Sequence, residues 1–228
     1  MKRKFTLGEC VLCGSRHDKA GMGRHLRSCY PGRGLKKEAR AGRNRRSFLL
    51  LVEARHRPQY WMYLGVQGRQ TLGALDTVLR DTWLECCGHL SAFSIEGEQY
   101  DAMPEDEPGL RSMGFRLDSV LAPGLRFSYE YDFGSTTELA LRVILSQEGD
   151  GPRNPIRILA RNEPPEIACA ICGGAATQVC RQCFDEANGK AWLCHRCVKR
   201  HGCKDADTVP LVNSPRTGVC GYIGGHGD

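Results

Sequence analysis

The thirteen cysteines of this 228-residue chain are grouped in pairs rather than scattered. Cys10 and Cys13 are two residues apart, and His25 and Cys29 follow one helical turn from each other. Two thiolates on a tight turn and a His and Cys on a helix can close one tetrahedral zinc site in a ββα-like finger. Met22 and Leu26 flank His25 at helical spacing and supply its small core. His17 could stand in for His25, but it lies too far from Cys29 for one turn. Gly21 and Gly23 weaken the helix, so metal rather than propensity is expected to hold it.

A second series runs Cys169-x2-Cys172-x7-Cys180-x2-Cys183-x10-Cys194-x2-Cys197-x3-His201-x-Cys203. Eight ligands suffice for two four-coordinate sites. Alternating pairs are expected to share a metal, Cys169, Cys172, Cys194 and Cys197 on one and Cys180, Cys183, His201 and Cys203 on the other. Pairing in sequential halves is the rival. Cys220, within Val219–Tyr222, is a ninth candidate that could displace Cys203 or His201, and His195 reads as a surface residue. The ordering resembles MYND and B-box modules in outline. About three zinc ions per chain are expected, all structural, because a catalytic zinc keeps an open coordination position and these sets are full. Iron is the other metal such ligands accept, but closed Cys/His sets favour zinc.

Other groupings look like chemistry and reduce to something plainer. Asp132-Phe133-Gly134 spells a kinase metal-binding tripeptide without the glycine-rich or catalytic loops that would accompany it, so it reads as a strand end turning at Gly134. Cys86, Cys87 and His89 suggest a nucleophile with its base, yet they close an amphipathic helix beside Trp83 and Leu84. Two buried cysteines and a hydrogen-bonded histidine are expected there. The acidic loop Glu105, Asp106 and Glu107 reads as solvated, and Glu98 and Asp101 bracket Tyr100 without a further feature. No set combines nucleophile, base and oxyanion donors, so no catalytic residue is assigned.

The elements that must position these ligands follow from hydrophobic periodicity. Phe48 to Val52 and Tyr60 to Val66 are apolar runs of strand length around Pro58, expected to form a hairpin. Thr71 is a plausible N-cap for a helix with Leu72, Leu75, Leu79 and Trp83 on one face, stopping at Gly88. Leu90 to Ile95 is a short apolar run, Leu125 to Tyr131 and Leu139 to Leu145 alternate as half-buried antiparallel strands, and Ile156 to Ala160 returns a last strand. The fold class expected is α+β: a central, antiparallel-rich sheet with one main helix, between an N-terminal zinc finger and a C-terminal binuclear cysteine-rich module. The divisions are residues 1–30 for the finger, 31–46 for a basic linker or arm, 47–163 for the central domain, and 164–228 for the binuclear module with its Gly-rich tail.

Charge is uneven. Residues 1–57 hold 16 Lys/Arg against 4 Asp/Glu, while the remainder holds 16 against 22. A basic end of this kind favours a polyanion, since each phosphate neutralised releases counterions. Lys2, Arg3, Lys4, Arg24, Arg27, Arg33, Lys36, Lys37, Arg40, Arg43, Arg45 and Arg46 would carry that contact. No apolar run reaches the roughly 18 residues a membrane span needs, and the charged start carries no export signal. With cysteines in metal-type pairs, a cytoplasmic location is expected.

The run Tyr60 to Val66, the helix Thr71 to Phe93, Tyr100 and the turn Tyr129 to Gly134, in that order, resemble the plasmid pRiA4b ORF-three-like family, also labelled insertion-element passenger proteins of the TnpR type. The resemblance implies an α+β fold and an association with mobile elements. An Asp, a Trp and a His follow the YDFG turn in the commoner family form, where this chain has Ser135, Thr136, Thr137 and Glu138. Asn213 to Arg216 followed by Val219 to Tyr222 resembles the tail of a subset bearing added zinc modules. The expected function is a non-catalytic, zinc-stabilised binding protein that contacts RNA, DNA or a ribonucleoprotein through its basic finger and arm. A protein-interaction adaptor built on the zinc modules is the alternative, and an enzyme on the central domain is a third.

Overall fold

The computed structural model describes residues 6–31, 46–104, 109–148, 154–203 and 207–225. Lys2, Arg3, Lys4, Arg33, Lys36, Lys37, Arg40, Arg43 and Arg45, and the acidic loop Glu105 to Glu107, lie outside the described residues. The chain divides into two compact units: residues 1–78 with 90–163, and residues 79–89 with 164–228.

In the first unit, β1 (Leu7–Glu9), β2 (Arg16–Asp18) and α1 (Lys19–Cys29) form the expected ββα finger. Asp18 caps α1, its carboxylate accepting the Gly21 N–H at 2.6 Å. The strands β3 (Arg46–Ala54), β4 (Trp61–Gln67), β5 (Ser91–Ile95), β6 (Glu98–Asp101), β7 (Arg111–Ser112), β8 (Arg126–Tyr131), β9 (Thr137–Glu148) and β10 (Ile156–Arg161) form one eight-stranded sheet, with α2 (Leu72–Leu79) and the single turn α3 (Leu117–Val120) beside it. Strand order is β10-β4-β3-β9-β8-β5-β6-β7, antiparallel except for the β6–β7 pair. The fold is α+β, with a large, mainly antiparallel sheet and few helices.

Alternation assigns the two sheet faces. Phe48, Leu50 and Val52 on β3, Leu139, Leu141 and Val143 on β9, and Phe127, Tyr129 and Tyr131 on β8 are all buried. Asp76 of α2 is buried and accepts hydrogen bonds from Ser91 Oγ at 2.6 Å and Tyr129 Oη at 2.7 Å, which fixes the helix to this face. On the other face the finger packs directly on the sheet. Cys10, Met22, Leu26 and Tyr30 share one buried cluster with Leu49, Leu51, Trp61, Tyr63, Ile144 and Leu159. Close approach demands small residues here: a Cβ on Gly23 would sit 2.5 Å from Tyr63 Oη, and one on Gly8 would sit 2.3 Å from the Arg161 carbonyl. Gly23 therefore serves packing, where the sequence suggested only a weakened helix.

The second unit holds β11 (Gln178–Cys180), α4 (Arg181–Asp185), β12 (Trp192–Leu193), α5 (His195–Val198) and β13 (Thr208–Pro210), with sheet order β12-β11-β13. It also takes in residues 79–89, which the sequence had assigned to the central domain. Thr71 does cap α2, accepting the Ala74 N–H at 3.1 Å. The helix does not run on to Gly88. It widens into a π turn over Arg80–Leu84, with Glu85 N–H donating to the Arg80 carbonyl at 2.9 Å. The Trp83 carbonyl is turned aside to accept Ser214 Oγ at 2.6 Å, a buried bond inside this unit.

Candidate metal centres

Four groups of Cys/His side chains converge among the described residues, and within each the ligand atoms lie within 4.8 Å of one another. All thirteen cysteines are free thiols. Tetrahedral Zn–S bonds of about 2.3 Å and Zn–N bonds of about 2.0–2.1 Å put sulfurs about 3.8 Å apart, and sulfur and nitrogen about 3.6 Å apart. A disulfide would instead need about 2.05 Å. The distances that follow lie at or somewhat below the metal values and far above the disulfide length.

Cys10, Cys13, His25 and Cys29 form the first group. The two N-terminal ligands sit on a turn closed by Gly14 N–H to the Cys10 carbonyl at 2.8 Å, with Gly14 at φ 77°, a conformation a side chain would resist. α1 supplies the other two, and His25 Nε2 lies 3.3 Å from Cys13 Sγ. His17 does not join. Its ring stacks on His25 with centroids 4.8 Å apart, and its Nε2 faces Ser15 Oγ at 3.2 Å.

The C-terminal ligands assemble in the alternating order. Cys169, Cys172, Cys194 and Cys197 form one group, with Cys172 and Cys194 sulfurs 3.7 Å apart. Cys180, Cys183, His201 and Cys203 form the other, where Cys183 Sγ is 3.3 Å from His201 Nε2 and 3.4 Å from Cys203 Sγ. The turn at Cys169 repeats that at Cys10, with Gly173 N–H donating to the Cys169 carbonyl at 2.9 Å and Gly173 at φ 72°. His195 is exposed, as expected.

Cys220 belongs to neither group, contrary to the role foreseen for it. It meets Cys86, Cys87 and His89 in a fourth cluster, and those three are not the buried helix-end residues expected, since Cys87 is exposed and Cys86 and His89 are half-buried. Sequence reading missed this group because its parts stand more than 130 positions apart and lack the Cys-x2-Cys spacing. A signal was available nonetheless: the other three groups use ten cysteines, and the three left over, with His89, make one more set of four.

Without a metal the thiols within a cluster compete for protons. The hydrogen bond from Ser15 lowers Cys13 to about 6, whereas burial raises Cys29 to about 12. In the second group backbone N–H donors, that of Cys194 foremost, lower Cys169 to about 6, and burial raises Cys197 to about 12. One thiolate in each is ready to bind a cation at neutral pH, and another must release its proton as the ion enters, so metal binding liberates protons. Asp132, in the turn that spells Asp-Phe-Gly, is committed elsewhere: its carboxylate accepts the Gly134 and Ser135 N–H groups at 3.1 Å, which makes it a turn residue.

Of the arginines proposed for polyanion contact, Arg24, Arg27 and Arg46 are described and all are exposed. Sequence reading missed two others. Arg126 on β8 and Arg142 on β9 are exposed and stand directly opposite each other across the strand pair. Arg142 is also opposite Leu51, which places the pair on the finger's side of the sheet. Arg142 and Arg27 both act on the Tyr63 hydroxyl, pulling against the burial that raises it to about 12. Neighbouring basic groups are ion-paired, Lys19 with Glu53 at 2.6 Å and Arg55 with Glu138 at 3.4 Å. Among the described residues Arg24, Arg27, Arg126 and Arg142 have no such carboxylate. Like charges directly opposed across strands destabilise a sheet slightly, so an uncompensated pair suits an anionic ligand.

The fold and its clusters thus define an α+β protein with a large antiparallel sheet and Cys/His groups able to hold metal ions. Residues 50–180, more than half of the chain, match the family described as plasmid pRiA4b ORF-3-like protein, and the chain belongs to that family. No curated protein matches it. The crystal structure of a protein of unknown function from Methanosarcina mazei Go1 is similar over 48% of this chain and 64% of its own, at 20% identity and a TM-score of 0.42. No helix among the described residues is long and apolar enough to cross a membrane.

Proposed function

We propose that this is a zinc-stabilised, non-catalytic binding protein that contacts the phosphate backbone of a nucleic acid, alone or within a ribonucleoprotein. Zinc is the ion that the closed Cys/His sets favour, as a structural element, and the resemblance of Asn213–Arg216 and Val219–Tyr222 to the tail of the module-bearing subset of the family supports that reading. The observation that carries the binding reading is the uncompensated arginine surface: Arg126 opposite Arg142, with Arg24 and Arg27 exposed on the finger helix packed over the same sheet face. The basic arm of residues 31–46, seven Lys/Arg against one acid, extends the same charge in sequence. Phosphate contacts of this type position a polyanion without reading its sequence.

The test is fluorescence anisotropy with generic RNA and DNA across a salt series. Affinity is expected to fall steeply with salt, and Arg126→Gln combined with Arg142→Gln to reduce the log–log slope by about 2, roughly one per phosphate contact. Absent binding, or affinity indifferent to both salt and the double variant, contradicts the reading. Exposed Ile171 and Ile223 in the second unit favour one further reading, a zinc module that presents a surface to a protein partner.

A further inference from the structure

The geometry points to a fourth zinc site, on Cys86, Cys87, His89 and Cys220, acting as a clasp that closes the segment 213–222 onto the turn ending α2. The inference rests on the zinc reading of the other clusters and concerns residues within the second unit alone.

The four ligand atoms converge on one point, the sulfurs near tetrahedral spacing and the imidazole nitrogen somewhat closer. Cys87 Sγ lies 3.0 Å from His89 Nε2, 3.6 Å from Cys86 Sγ and 3.7 Å from Cys220 Sγ, and His89 Nε2 lies 3.4 Å from Cys220 Sγ. Three sulfurs and an imidazole nitrogen, with no carboxylate in the group, select a borderline-soft divalent ion over calcium or magnesium.

The surroundings are shaped to present these ligands. Cys220 has φ 49° and Gly221 φ 67°, and Tyr222 N–H donates to the Val219 carbonyl at 2.9 Å, so the thiol stands at the tip of a left-handed turn. A left-handed cysteine is strained and persists where its surroundings enforce it. Here the chain on either side is buried: Ser214, Arg216 and Thr217 before the turn and Tyr222 after it. Gly88, at φ 77°, gives the facing segment the same kind of reversal between Cys87 and His89.

Charge is matched as well. Three thiolates and a dication leave one negative charge, and Arg216, fully buried, donates from Nη2 to Cys86 Sγ at 3.5 Å. A buried guanidinium is retained beside a counter-charge, and the loaded cluster is one.

This site is built differently from the two C-terminal groups, whose alternating pairs form a cross-brace. In that pair Cys169, Cys180, Cys183 and Cys197 are buried and Cys172 is exposed, whereas the fourth group has no buried ligand and two exposed ones, Cys87 and Cys220. A chelator reaches the fourth ion first. The clasp is therefore the exchange-labile zinc, and its loss frees the Cys220 turn while the cross-brace stays loaded.

The test counts zinc in the full-length protein by elemental mass spectrometry, then follows its release to a chromogenic chelator with iodoacetamide present. Wild type is expected to carry four zinc ions and release one in a distinct fast phase. Cys86, Cys87 and Cys220 should be alkylated in that phase, ahead of Cys169 and Cys180. Cys220→Ser should carry three and lack the phase. The alkylation order is read on wild type, so the test stands even if the variant folds poorly. Wild type with three zincs and no fast phase, equal zinc in wild type and Cys220→Ser, or alkylation of Cys169 ahead of Cys87 overturns the fourth site alone. Wild type with no zinc at all overturns the zinc reading of every cluster.

Discussion

The two units of this chain answer the same physical problem with different materials. The first buries a broad apolar sheet, with Phe48, Leu50, Val52, Leu139 and Tyr129 on one face and Leu49, Trp61, Tyr63 and Leu159 on the other. In the second, the hydrophobic cluster under β11 and β12 has eight buried residues, Cys169, Val179, Cys180, Cys183, Ala191, Leu193, Cys197 and Val209, and four of them are cysteines. So few aliphatic side chains leave little apolar burial to offset the entropy of ordering this module, and the zinc reading predicts that bound metal supplies the difference. The finger stands between the two cases. It carries a ligand set of its own, but Met22, Leu26 and Tyr30 are also sealed against the sheet. The same ligand chemistry can thus create a fold in one place and reinforce it in another.

Substitutions can break this comparison from either side. The largest effect is expected at Cys172→Ser. Structural zinc in small modules supplies on the order of 10 kcal/mol of folding energy, so limited proteolysis should degrade residues 164–203 while β3, β4 and β9 survive intact. Next, Leu50→Ala in the fully buried centre of β3 should cost about 2–5 kcal/mol in urea unfolding followed by sheet circular dichroism. Its zinc content should match wild type, because no ligand set of the second unit includes that strand. A smaller loss is expected from Gly23→Ala, whose Cβ must push Tyr63 Oη away from 2.5 Å and weaken its 2.8 Å bond to the Lys19 carbonyl. Overpacking of this kind costs about 1–3 kcal/mol, read as a lower urea midpoint for the first unit. The smallest is Asp18→Ala, which removes the cap on α1 for about 1 kcal/mol and should leave the finger's metal bound.

Much of this was legible in the sequence, for reasons specific to each element. Period-two alternation exposed β8 and β9, because one face of each is buried and the other is not. The Cys-x2-Cys spacing exposed three ligand groups, because so short a separation brings both thiols to one point. Where local signals ended, so did legibility. Nothing near Trp83 marks the π turn, and the partner of the Trp83 carbonyl, Ser214, lies far along the chain. Cys86, Cys87 and His89 read as a helix end because their partner, Cys220, is supplied by a remote turn. Arg126 and Arg142 look unremarkable in sequence and become a pair only through strand register. The glycines of α1 were read as a weakness when one of them is a contact surface for Tyr63.

The central claim is that metal replaces a hydrophobic core in the second unit and does not do so in the first. Hydrogen exchange of the full-length protein, before and after complete zinc removal by a chelator, tests it directly. The account predicts that β11, β12 and α5 lose protection while β3, β4, β8 and β9 keep theirs. Unchanged protection in the second unit, or equal loss in both, would contradict it.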